Sequence, residues 1–165
     1  MIKLKTFGSF TVGNDLTFVQ EGAWRSEKLE KLFVYLAMNR NRGVCIEDIS
    51  EAIWQVEEET DNPVGALKNL AYRLRKALRD ASFDDECIVS VRGGLYKWND
   101  DVEVTIDVEE FDRYINEAEM AFCRSKETAI ESYEKAIALY HGDFLPLRTD
   151  THWFMTLNAF YHSRY

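Results

Sequence analysis

Residues Ala66–Arg79 read ALKNLAYRLRKALR. Lys68, Arg73, Arg75, Lys76 and Arg79 fall in this stretch with no acid among them. Leu67, Leu70, Ala71, Leu74 and Leu78 recur at the spacing of a helix with one buried stripe. The opposite side therefore carries the cations, in a chain whose net charge is −9. A cationic helix face on an acidic protein points to a polyanion. The plainer alternative is a solvated face, with Arg75 and Arg79 paired to acids such as Asp80 or Glu86.

The charge is distributed unevenly. Residues 1–100 sum to −2 and residues 101–165 to −7. That asymmetry suits a nucleic-acid module joined to a protein-interaction module. Apolar residues make up 46% of the chain and aromatics 13%, enough for packed cores rather than disorder. Cys45, Cys87 and Cys123 are odd in number and widely spaced, which speaks against a disulfide framework or zinc site and for a reducing cytoplasm. No apolar run approaches 18 residues and no leader opens the chain, so a cytoplasmic protein without a membrane partner is expected.

Outward from the central stretch, the flanks supply a recognisable order. Residues 2–12 alternate apolar and polar around Gly8, and a turn at Gly13-Asn14-Asp15 precedes Leu16–Val19. A small antiparallel N-terminal sheet is expected. Ser26 begins a helix that runs to about Asn39 and buries Leu29, Leu32, Phe33, Leu36 and Ala37. Residues 46–54 form a second, shorter helix. An acidic loop with Glu57, Glu58, Glu59 and Asp61 follows, and Pro63 opens the third helix. Residues 88–91 and 95–98 read as strands around Arg92-Gly93-Gly94, a tight hairpin tip.

Beyond residue 104 the pattern is helical only. Val108, Phe111, Tyr114, Ile115, Ala118 and Phe122 mark one stripe. Ala129, Ile130, Tyr133, Ala136, Ile137 and Tyr140 mark another, ended by Gly142, and a third helix begins near Thr151. Small residues alternating with aromatics on paired helices suggest TPR-like packing. The chain ends inside the third helix, so a longer protein is expected. The fold class is thus an α+β winged helix over residues 1–100, followed by an all-α TPR-like domain over 104–165.

Three helices followed by a hairpin is the order of a winged helix. Its third helix fits the major groove, and its wing can set a cation against the minor groove or backbone. On this reading Lys68, Asn69, Tyr72, Arg73 and Lys76 form the reading face, with Arg92 at the wing tip. Arg75 lies off that face, as a structural or phosphate-facing residue, and completes the DNA-binding set. No phosphate loop, nucleophile elbow or metal spacing occurs, so no catalytic residue, cofactor or metal is assigned and the chain is read as a non-enzyme. Trp24, Trp54, Trp98 and Trp153 are read as packing residues.

The segments YRLRKAL (Tyr72–Leu78) and VSVRGGLYKW (Val89–Trp98) resemble the OmpR/PhoB-type winged helix of bacterial regulators. TIDVEEF (Thr105–Phe111), AIALYHGDFLP (Ala138–Pro146) and Trp153 are similar to the bacterial transcriptional activation domain that follows it in SARP-type activators. The resemblance covers essentially residues 2–165. It implies a sequence-specific DNA-binding activator in which Arg73, Lys76 and Arg92 contact DNA, with Lys68 and Asn69 beside them. It further implies double-stranded direct repeats as target, a head-to-tail homodimer on DNA, and contact with RNA polymerase. The competing reading is a protein- or ligand-binding adaptor whose winged helix no longer binds DNA, which the net charge and Glu57–Glu59 favour.

Overall fold

The computed structural model describes residues 1–55, 61–83, 85–91 and 94–165. β1 (Ile2–Lys5), β2 (Thr11–Gly13) and β3 (Phe18–Gln20) form an antiparallel meander. Their period of two turns Ile2, Leu4, Val12 and Val19 into the core. The Asn14 side-chain carbonyl closes the turn between β2 and β3 by accepting from Leu16 and Thr17 N–H, each at 2.8 Å. α1 (Glu27–Met38), α2 (Ile46–Ile53) and α3 (Pro63–Asp80) follow, then the hairpin of β4 (Ile88–Val91) and β5 (Leu95–Trp98). This is the expected order of sheet, three helices and hairpin.

Local chemistry sets the helix starts. The Asn62 side chain accepts from Gly65 N–H at 2.9 Å and Pro63 takes the first position of α3, where a missing N–H costs nothing. Ser26 stands at the N-cap of α1 without a side-chain bond. The Cys45 thiol caps α2 by accepting from Asp48 N–H at 3.5 Å. Between α1 and α2, Val44 pairs with Tyr96 of β5 through backbone bonds of 2.7 and 2.9 Å, so the hairpin is held against the helices. Trp98 is fully buried, and its indole N–H donates to Val102 O at 2.7 Å. Burial of such a side chain contributes about 1.5–3 kcal/mol.

The first sheet departs from the expected antiparallel one. β6 (Val104–Ile106) joins it parallel to β1, giving the order β3-β2-β1-β6. Three residues are too few to show an alternation, and their partner strand lies at the other end of the sequence. Yet Val104 and Ile106 are buried on the same face as Ile2 and Leu4. β6 runs directly into α4 (Asp107–Ala121), so the helical half grows out of the N-terminal sheet.

The junction is fastened by Asp107. Its carboxylate accepts from the Thr6 N–H at 2.8 Å, the Thr6 hydroxyl at 2.7 Å and the Phe7 N–H at 2.9 Å. Burial pushes this carboxyl up, and the hydrogen bonds only partly offset that. α5 (Lys126–Leu139) packs on α4, and α6 (His152–Arg164) lies against α2. The loop after α5 returns to the sheet, where Gly8 N–H donates to Asp143 O and Leu145 N–H to Thr6 O, both at 2.9 Å. A Cβ on Gly8 would sit 2.7 Å from His141 O, and its φ is +82°, so glycine is required on both counts. Phe7 closes this corner against Phe111, Tyr140 and Tyr161.

One buried cluster thus runs through both halves. The stripe expected on the fifth helix is not all interior. Ala129 and Ala136 are buried, but Ile130 and Ile137 are 56% and 54% exposed. The small residues bring α5 close to α4, and the isoleucines flank that contact rather than enter it. Phe122 and Phe160 likewise stay at the surface, while Trp153 packs edge-on against Tyr35 across the two halves.

Candidate nucleic-acid interface

α3 buries Leu67, Leu70, Ala71, Leu74 and Leu78 against α1 and α2. At about 100° per residue, Lys68, Tyr72, Lys76, Asn69 and Arg73 follow one another around the opposite side, across an arc of about 140°. All five are exposed. None has an ion pair or side-chain hydrogen bond to another described residue. Tyr72 is 65% exposed and has no ring or cation contact among them. An aromatic ring of this size in the middle of a polar face forgoes burial for nothing the described fold returns. Arg79 and Asp80 also fall within the arc; Arg79 is engaged by a neighbour, and Asp80 is exposed at the end of the helix.

Arg75 sits at the edge of this arc and is half-buried. Its Nε and Nη2 both donate to the Ile88 carbonyl, at 3.1 and 3.0 Å. Its guanidinium therefore ties α3 to β4 through a backbone oxygen. The hairpin is held in place by this contact and by the Val44–Tyr96 pairing. Arg92 at the hairpin tip, and Glu57, Glu58 and Glu59 before α3, lie outside the described residues. Gly94, which follows the tip, has φ +79°, the left-handed turn that glycine allows.

Where the helical half meets α1 and α2, the cations are engaged. Arg148, in the turn Pro146–Arg148, is buried against α1. Its guanidinium bonds the Glu30 carboxylate, with Glu21 at 3.2 Å and Glu27 at 3.6 Å. Glu30 also accepts from Gly22 N–H at 2.8 Å. Lys31 is buried too and donates to Asp150, whose second oxygen accepts from Gln55 at 2.8 Å. Burial alone would raise the Asp150 carboxyl, but the bonds from Lys31 and Gln55 outweigh it and hold the group below the usual carboxylate range. Arg40 meets Glu109 through two bonds of 2.5 and 2.6 Å. Thr151 donates to Ala52 O at 2.8 Å. These residues form a charged seam joining the helical half to α1 and α2. Nothing in the local sequence marks Glu30, Lys31 or Arg148 for this role, because their partners stand more than a hundred residues away.

The arrangement puts an unneutralised cationic and aromatic face on one side of the molecule. The seam lies where α1 and α2 meet the helical half. Among the described residues, no helix is long and apolar enough to cross a membrane.

Comparison with known proteins bears on this geometry. No curated protein sequence matches the chain. Residues 21–98, just under half of it, match the family described as transcriptional regulatory protein, C terminal. That span begins before α1 and ends with β5, so it takes in the three helices and the hairpin. In fold, 99% of the chain is similar to Mycobacterium tuberculosis EmbR, solved in complex with a low affinity phosphopeptide, with a TM-score of 0.78 at 20% identity. The chain spans 42% of the length of that structure. Residues 21–98, the three helices and the hairpin, are thus the part of the chain that is similar to this transcriptional-regulator family.

Proposed function

We propose that this chain is a sequence-specific transcriptional activator that inserts α3 into the major groove of double-stranded DNA. The observation that carries this reading is the exposed face of Lys68, Asn69, Tyr72, Arg73 and Lys76, with no acid opposite any of them among the described residues. A helix about 10–12 Å across fits a groove about 12 Å wide. Arg73 and Lys76 suit guanine edges or phosphates, Asn69 suits adenine, and the Tyr72 ring suits the thymine methyl. Arg75 braces the hairpin from the flank of α3, and its position beside the face leaves it within reach of a phosphate. This reading assigns Arg92, between β4 and β5 in the sequence, to the minor groove or backbone. The helical half, with its −7 charge and its seam to α1, is the part that contacts RNA polymerase or relays regulation. Direct repeats occupied by two copies head to tail are the target form this reading entails.

Selection of bound fragments from random DNA at moderate salt tests the reading. A single enriched motif is expected. Affinity should fall steeply with salt, because each phosphate contact releases counterions. Arg73→Ala with Arg92→Ala should weaken binding to that motif and leave the thermal midpoint in place. Equal binding by the double variant would remove this face from consideration. Binding insensitive to salt would favour the adaptor reading.

A further inference from the structure

An open cleft of about 390 Å³ lies between the two halves of the molecule. α1 contributes Tyr35, α2 Asp48 and Glu51, and α6 Trp153, Thr156 and Leu157. The volume falls in the range of small-molecule sites, which favour the boundary between structural units. Its floor is aromatic, since Trp153 meets Tyr35 edge-on with ring centroids 4.9 Å apart. Tyr35 is 3% exposed, yet its hydroxyl has no hydrogen-bond partner among the described residues. The ring is covered while the oxygen opens onto the cleft, where a partner from outside the chain can reach it.

The charges around the cleft select that partner. Asp48 and Glu51 line it. Arg42 and His152 stand there as well, but Arg42 is drawn to Asp48 at 3.7 Å and to the Asn39 side chain at 3.2 Å. Burial is the main cause that pushes the Tyr35 hydroxyl up; Asp48 adds to it, Arg42 pulls back, and Cys45 and Glu51 add smaller rises. The hydroxyl thus stays neutral and can accept an N–H. Aromatic faces also attract cations. We propose that this cleft binds a small organic cation: a flat apolar ring against Trp153 and Leu157, and an ammonium group donating to the Tyr35 hydroxyl and the Glu51 carboxylate. The occupant would tie α6 to α2, which packs on α3. This site is independent of the DNA-binding reading.

Tryptamine is a suitable probe, with 3-methylindole as the neutral control and indole-3-acetate as the anionic one. The whole 165-residue chain is titrated while backbone amide shifts are followed by NMR. Saturable shifts centred on Tyr35, Ala52 and Thr156 are expected, with tryptamine about tenfold tighter than either control, the scale of one charged hydrogen bond. Tyr35→Phe and Glu51→Gln should each weaken it about tenfold. Glu51 is exposed, so its variant keeps the test valid should the Tyr35 change disturb folding. The proposal falls if tryptamine gives no saturable shift at millimolar concentration, if a control binds as well, if the shifts centre elsewhere, or if Glu51→Gln binds unchanged.

Discussion

The cations of α3 and the cations of the seam are the same kinds of residue in opposite circumstances. Lys31, Arg40 and Arg148 each lie on carboxylates, and two of the three are buried. Lys68, Arg73 and Lys76 face solvent with no carboxylate beside them among the described residues. In a chain with 29 acids and 20 cations, pairing is the easy outcome. The seam shows what the chain does with a cation used for architecture. The α3 face holds its cations exposed and without such a match. Burial sets the energetic difference, because a desolvated cation must be matched by a carboxylate whereas an exposed one need not be.

The largest effect belongs to the seam. Arg148→Ala would leave Glu30 buried opposite no charge, a loss of about 3–5 kcal/mol of folding stability. Urea denaturation reads that loss, and DNA affinity per folded molecule should stay unchanged. A loss within error would mean that the seam is ornamental and the contrast between the two sets is empty.

Arg75 stands between the two classes. Arg75→Ala removes the two bonds to Ile88 O, and a stability loss of about 1.5–3 kcal/mol is expected for charge-assisted bonds of this kind. Its DNA affinity should fall less than that of Arg73→Ala. The reverse order would move Arg75 from the scaffold to the reading face.

Arg73→Ala and Lys76→Ala should show the opposite signature. A base-reading arginine is worth about 1–3 kcal/mol of binding, and loss of a phosphate-bound lysine reduces the salt slope by about 1. Electrophoretic mobility or fluorescence anisotropy over a salt series separates these roles. The thermal midpoint should hold in both variants, since neither side chain contacts a described neighbour through an ion pair or hydrogen bond.

The smallest effect is in acid. The Asp150 carboxyl is held below the usual range in the folded chain. Its contribution to stability is therefore complete above the unfolded value of about 4 and is lost as pH falls through the lower folded value. Asp150→Asn should flatten the acid limb of the stability curve between about pH 5 and pH 3. An unchanged acid limb would show that Lys31 does not depend on this partner.

Much of this was legible in the one-dimensional pattern. The leucines of α3 recur with the helical period and its cations fall between them, so which side faces out follows from spacing alone. Asn62 and Pro63 mark where α3 begins, and the two glycines after Arg92 mark the hairpin. The order of elements in residues 2–98 and the three later helices could be read for the same reason: each depends on interactions a few residues apart.

Contacts between distant segments could not be read. β6 is three residues long and becomes a strand only because the open edge of β1 is there to pair with it. Ile130 and Ile137 share the period of a buried stripe, but Ala129 and Ala136 are what approach α4, and only the packing of two helices shows which flank is covered. Glu30, Lys31 and Arg148 look like ordinary surface charges until α1 and the turn at Pro146–Arg148 meet. Local periodicity determined the elements and the outward face of α3, because those follow from backbone geometry and solvation within a few turns. Tertiary structure alone decided which cations are neutralised, because a charge finds its partner through space and not along the chain.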